Sequence, residues 1–138
     1  MYMFTVIVGA GGAGVYLASR LSSEGHKVTV IDIDADALKE LTKKAPEAST
    51  IIGDASRIEV LRRAGLEKAK TLAVLTGDDD RNLSIAMLAK NEFHVPRVIA
   101  RINDPKHEWL FDRHTGVDYG FSQDALLVEA VLQAIQTV

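Results

Sequence analysis

Short apolar runs rich in β-branched residues alternate along this chain with longer stretches in which apolar positions return every three or four residues. The first pattern reads as buried strands and the second as helices. Strands are predicted over Phe4–Val8, Val28–Ile31, Thr50–Ile52, Leu72–Leu75, Arg97–Ile102 and Tyr119–Phe121. Helices are predicted between them, over Ala13–Glu24, Ala35–Lys44, Arg57–Ala64 and Arg81–Phe93, with a last one over Gln123–Gln136. Punctuation supports these boundaries. Asp34 precedes the second helix and Pro46 follows it, Gly65 closes the third, and Asp104-Pro105 opens a further helix expected to run to Gly116. Proline at a first helical position suits its fixed φ and missing donor.

Strands that are apolar throughout, separated by helices, point to a parallel sheet covered on both faces. Six such units use almost all of the 138 residues, so residues 1–138 are expected to form one domain with no linker, repeat or low-complexity tract. Composition adds exclusions. Hydrophobic residues make up 47% and charged residues 25%, the balance of a soluble globular protein. With no cysteine, disulfides, thiolate metal sites and cysteine nucleophiles are ruled out. A formal charge of −3, with basic pairs only at Lys43-Lys44 and Arg62-Arg63, speaks against a nucleic-acid partner. The apolar opening Met1–Val8 is too short to span a bilayer and has no preceding positive charge, so no membrane insertion is expected.

The chemistry concentrates behind the first strand. Gly9-Ala10-Gly11-Gly12-Ala13-Gly14 reads as G-x-G-x-x-G between a strand and a helix. In that context the first glycine permits a tight turn, the second lets a pyrophosphate approach the backbone, and the third lets the helix pack on the strand. The helix N-terminus then supplies unpaired N–H groups to an anion. An acid is required about 20 residues on, and the second strand ends in Asp32-Ile33-Asp34. The fold class predicted is therefore α/β: a three-layer Rossmann fold with a six-stranded parallel sheet and helices on both faces.

Asp32 is expected to accept hydrogen bonds from both ribose hydroxyls, and its charge would repel a 2′-phosphate. That favours NAD(H) or an adenosine phosphate (AMP, ADP or ATP) and disfavours NADP(H). Asp34 is either a second ligand or only the cap of the following helix. Asp54, in Gly53-Asp54-Ala55, either accepts from the adenine amine or, like Ser56, simply caps the next helix. Thr76-Gly77 lies at the expected cleft rim, and the three aspartates Asp78, Asp79 and Asp80 read as a helix cap in preference to a cation site. Arg101 faces either a ligand phosphate or one of these aspartates.

No catalytic set accompanies the cleft. The tyrosine–lysine spacing of short-chain reductases is missing, since Arg20 follows Tyr16 at that interval and Gln123 follows Tyr119. His26, His94, His107 and His114 are scattered and are read as surface or capping residues, and no metal site is predicted. The alternative to a binding module is a small NAD-dependent oxidoreductase or the cofactor half of one. In the last helix Leu126, Leu127, Val128, Val131, Leu132, Ile135 and Val138 are apolar over more than one face, which favours cover by a partner subunit. The fourth helix, with Leu83, Ile85, Met87 and Leu88, is similarly broad, and there burial and a partner are equally open.

Taken in order, these residues resemble the TrkA N-terminal (RCK/KTN) nucleotide-binding domains that regulate potassium channels and transporters. The resemblance rests on Gly9-Ala10-Gly11, Glu24-Gly25-His26, Val30 to Asp34, Gly53-Asp54-Ala55, Ala64-Gly65, and Thr76 to Asp79 with Asn82. Val95-Pro96-Arg97-Val98-Ile99-Ala100-Arg101, Asn103-Asp104-Pro105 and Gly116-Val117-Asp118 complete it. It implies a cytoplasmic regulatory subunit without enzymatic activity, a homodimer or larger ring, held at the inner membrane face by a potassium transporter or channel subunit. The binding positions it implies are Gly9 to Gly14, Asp32 with Ile33 and Asp34, Asp54 with Ala55, Thr76, Gly77 and, more weakly, Arg101. Two departures stand out. Gly12 occupies a position where relatives responding to ATP and ADP often carry arginine, and the chain ends where relatives commonly continue into a second lobe, as a stand-alone or a truncated form.

Overall fold

The computed structural model describes residues 2–137; Met1, counted above in the apolar opening, and Val138, counted in the last helix, lie outside the described residues. Six strands form one sheet: β1 (Phe4–Val8), β2 (Lys27–Asp32), β3 (Ser49–Ile52), β4 (Thr71–Val74), β5 (Arg97–Ile102) and β6 (Tyr119–Ser122). All neighbours pair in parallel, in the order β3-β2-β1-β4-β5-β6. This is the doubly wound order, whose direction reverses between β1 and β4 and opens a crevice at the carboxyl ends of those strands. The predicted fold class is the one observed.

Alternation along each strand sends side chains to two cores. Val6, Val8, Leu72, Val74 and Val98 pack under α3 (Ile58–Arg63) and α4 (Asp79–Phe93), while Ile7, Val28, Val30 and Ala73 pack under α1 (Gly12–Ser23) and α2 (Ala35–Lys44). Burial within this fold accounts for most of the breadth of α4: Ile85, Ala86 and Ala89 are fully enclosed and Leu83 and Leu88 pack at the margin, while Met87 is exposed. The last helix, α5 (Gln123–Gln136), covers neither face. It follows β6 without a linking residue, and every described side chain on it is exposed. On the α1 side of β6, Tyr119 and Phe121 are also exposed, with rings stacked 6.3 Å apart.

One element differs from expectation. The segment from Asp104 to Gly116 is not a single helix but two short 3₁₀ turns, Pro105–Leu110 and Arg113–Thr115. Asp104 caps the first as predicted, accepting from the Lys106 amide. Asp112 then breaks the run by capping the second: its carboxylate accepts from His114 N, while Thr115 Oγ1 accepts from Asp112 N. Local caps competing with the helix ladder stop it after two turns. The start of α4 also shifts, to Asp79 from the expected Arg81, because Asp78 is its cap.

Candidate functional site

The turn after β1 is built by glycines that do different work. Gly9 holds φ at 111°, and a Cβ there would press on the Leu75 backbone at 3.1 Å. At Gly14 a Cβ would collide with the Gly9 carbonyl, so α1 crosses β1 only because that side chain is absent. Gly11 and Gly12 are the opposite case: a Cβ at either meets nothing within 4 Å. Gly11 lines the cleft while Gly12 faces the grooves beside α1, and the first-turn amides have no partner inside the helix. Among the five α-helices of the described residues, α1 alone has neither a side-chain cap nor an acid in its first turn.

A cleft of about 250 Å³ opens over the carboxyl edge of β1 and β2. It brings together Gly9, Gly11, Asp32, Ile33, Ala55, Thr76, Gly77 and Arg101 of the predicted residues. Ala10 and Gly12 line the outer side of the turn, Gly12 and Ala13 face a wider groove beside α1, and Gly14 is enclosed against Gly9. Asp32 is already engaged: Ala10 N donates to its Oδ2 at 2.7 Å and Asp34 N to its Oδ1 at 2.9 Å. Each oxygen keeps a second lone pair for a ligand. Asp34 is the α2 cap, accepting from the amides of Asp36 and Ala37.

Asp54 sits at the rim. Its Oδ1 accepts from Ser56 N at 2.9 Å and Ser56 Oγ at 2.6 Å, and Arg81 lies 3.2 Å away as an ion pair. The Ser56 bonds, reinforced by Arg81, hold this carboxyl below its usual range. Arg101 does not meet the aspartates, one of the two roles open for it. Its Nε is buried and without a hydrogen-bond partner among the described residues, a costly state for a charged donor.

The three aspartates separate into different roles. Asp78 caps α4 through the amides of Asp80 and Arg81. Asp79 instead turns inward, only 9% exposed, and ties α4 to the segment after β5. Its carboxylate accepts from Asn103 N at 2.6 Å, Asp104 N at 2.9 Å and Asn103 Nδ2 at 3.0 Å, with His107 Nδ1 at 2.7 Å. Burial alone would raise its pKa, but these donors outweigh it and hold it at about 2; the Asp79 bond in turn raises His107. His107, expected in a surface or capping role, is instead part of this anchor, half-exposed but bonded to a buried acid.

Two residues that shape the cleft, Asn82 and Arg81, are absent from the predicted binding positions, although Asn82 is among the residues that carry the resemblance. Asn82 is fully buried and donates from Nδ2 to the carbonyls of Thr76 and Arg101, both at 3.0 Å, while Thr76 N donates to its Oδ1. It fixes the cleft rim to the end of β5. Arg81 lines the cleft directly. The signal was available: as the third helical residue after a cap, its side chain leans back over the helix start.

The TrkA-N domain model matches residues 5–123. The chain belongs to the TrkA-N family. Over 133 residues it is 38% identical to the Trk system potassium uptake protein TrkA of Mycobacterium tuberculosis, covering 96% of this chain and 60% of that protein. This TrkA-N chain thus spans less than two thirds of that relative's length. The same fold is found in the TrkA-N domain of the Escherichia coli inner membrane protein YbaL, with a TM-score of 0.85 at 19% identity and 97% of both chains covered. It recurs in the GsuK channel bound to NAD (TM-score 0.73, 19% identity, 87% of this chain and 21% of that one). It is also found in the Shewanella denitrificans Kef C-terminal domain in its AMP-bound form (TM-score 0.74, 22% identity, 97% and 80% covered).

Proposed function

We propose that this chain is a nucleotide-sensing regulatory domain of a potassium transport system, binding NAD(H) or an adenosine phosphate and acting without catalysis of its own. The observation that carries the reading is the α1 N-terminus, uncapped and free of acids where the other α-helices are not, opening on a cleft that Asp32 and Arg101 flank. An anion is the partner such a terminus favours. Gly11 to Ala13 would receive the pyrophosphate, Asp32 the ribose, and the Gly53–Ala55 edge the adenine. The buried Arg101 Nε would meet a phosphate or the second half of a dinucleotide. Asp32, already bonded to two backbone amides, would reject the 2′-phosphate of NADP(H).

Relatives supply the context: a TrkA protein of a potassium uptake system, a channel bound to NAD and a Kef domain bound to AMP. Regulation requires that the nucleotide favour one state of the assembly over another. Arg101 pairs in register with Phe121, and Arg101 and Gln123 line one groove, so ligand contacts at Arg101 lie beside the start of α5. Helix α5, apolar and exposed, would carry the change to a second subunit and on to the membrane partner.

Thermal melting against NADH, NAD, NADPH, ATP, ADP and AMP tests this. Ligand at about 100 times its dissociation constant adds roughly 2.7 kcal/mol and shifts the midpoint by several degrees. A shift with NAD(H) or an adenosine phosphate and little with NADPH is expected. No shift with any of them, from protein whose absorbance shows no co-purified nucleotide, would overturn the sensing role.

A further inference from the structure

The Arg81–Asp54 pair occupies an unusual place. Asp54 follows β3 and Arg81 follows β4, and those strands are separated in the sheet by β2 and β1. Three strand spacings amount to about 14 Å. The pair therefore reaches across the carboxyl ends of β1 and β2, over the floor that Gly9, Ile31 and Asp32 provide. Its two ends are not equally held. Asp54 is fixed by the amide and hydroxyl of Ser56, whereas the Arg81 guanidinium has Asp54 as its only hydrogen-bond partner among the described residues, and both side chains are more than a third exposed. An exposed pair of this kind contributes little and exchanges easily.

We propose that Arg81 is a base-binding residue: on nucleotide entry its guanidinium leaves Asp54 and lies flat over the adenine ring, and Asp54, still held by Ser56, accepts from the exocyclic amine in its place. This inference rests on the reading of the cleft as an adenine-nucleotide site. A planar cation over a purine face is attractive both as a stack and as a cation–π contact. The backbone of Arg81 stays in place, because its amide donates to Asp78 and the helix start does not move. Arg81 thus converts an open cleft edge into a lid one side chain wide.

Isothermal titration of AMP and NAD into the full chain and three variants tests the assignment. Arg81→Ala is expected to weaken both ligands by about tenfold, the loss of one stacking partner. Arg81→Lys keeps the charge without the plane and remains weak, whereas Arg81→Tyr supplies a ring without the charge and recovers most of the affinity. Melting of the unliganded variants within a few degrees of the parent confirms that each is folded. Parent-like or tighter binding by Arg81→Ala overturns the proposal. So does restoration by lysine and not by tyrosine, which would make Arg81 a charge acting on the phosphates. A parent chain that binds neither AMP nor NAD overturns the site reading itself, a result distinct from a parent that binds and an alanine variant that binds equally.

Discussion

At Gly11 and Gly14 the same residue type serves opposite ends, and the difference is measurable. A side chain at Gly14 meets the Gly9 carbonyl with nowhere to go, since both belong to the strand–helix crossing. Gly14→Ala is expected to cost about 1–3 kcal/mol, read as a lowered urea midpoint. Gly11 has extended backbone with φ at −76° and open space around its missing Cβ. Gly11→Val should therefore melt close to the parent and yet bind none of the nucleotides that stabilise it. A variant that binds as the parent does would remove the glycine turn from the site. Both glycines were legible in the spacing of the motif. The roles of Asp34, Asp54 and Arg101 were not, because a carboxylate or guanidinium is assigned by what lies opposite it, and sequence does not say which loop faces which.

Among the elements, the junction of α4 with the segment after β5 is held by the buried Asp79 carboxylate. Asp79 titrates at about 2 against an unfolded value of about 3.9. A depressed acid stabilises above its unfolded pKa and loses that contribution as pH falls through the folded one, here about 2 kcal/mol disappearing between about pH 4 and pH 2. His107 works in the other direction. Its raised pKa contributes below its unfolded value of about 6.5 and is lost as pH rises through the folded one. Asp79→Asn is expected to be less stable by about 2 kcal/mol at pH 7 and to converge on the parent near pH 2 in urea titrations. The His107 resonance should titrate lower in that variant; an unchanged His107 would mean that the pair is not formed in solution. The boundaries of these elements were mostly foreseen within a residue or two. The 3₁₀ turns at Pro105–Leu110 and Arg113–Thr115 were not, since Asp112 and Thr115 form a cap that a helical reading passes over.

For the molecule as a whole, α5 is the open account. Leu126, Leu127, Val128, Val131, Leu132 and Ile135 are 41–64% exposed, on a helix of 14 residues that contributes nothing to either core. Helices of that length are marginal without packing. Sedimentation equilibrium is expected to show dimers or larger assemblies at micromolar concentration, and Leu127→Asp combined with Val131→Asp to yield monomers whose cleft still binds nucleotide. A parent chain monomeric at every concentration would remove self-association from the proposal.

The strand–helix alternation, the parallel sheet and the glycine turn are local or periodic properties, written in side-chain volume, β-branching and backbone freedom, and they could be read directly from the order of residues. Pairings between distant loops are of another kind. Arg81 with Asp54, Asp79 with Asn103, Asp104 and His107, and Asn82 with Thr76 and Arg101 span 6 to 28 positions along the chain. They exist because the β1–β4 reversal gathers the loops at one edge of the sheet, and only there does a charged side chain acquire its partner and its pKa. The exposure of α5 was likewise settled by topology: its apolar surplus was visible in the sequence, but that it covers neither face followed from where β6 ends.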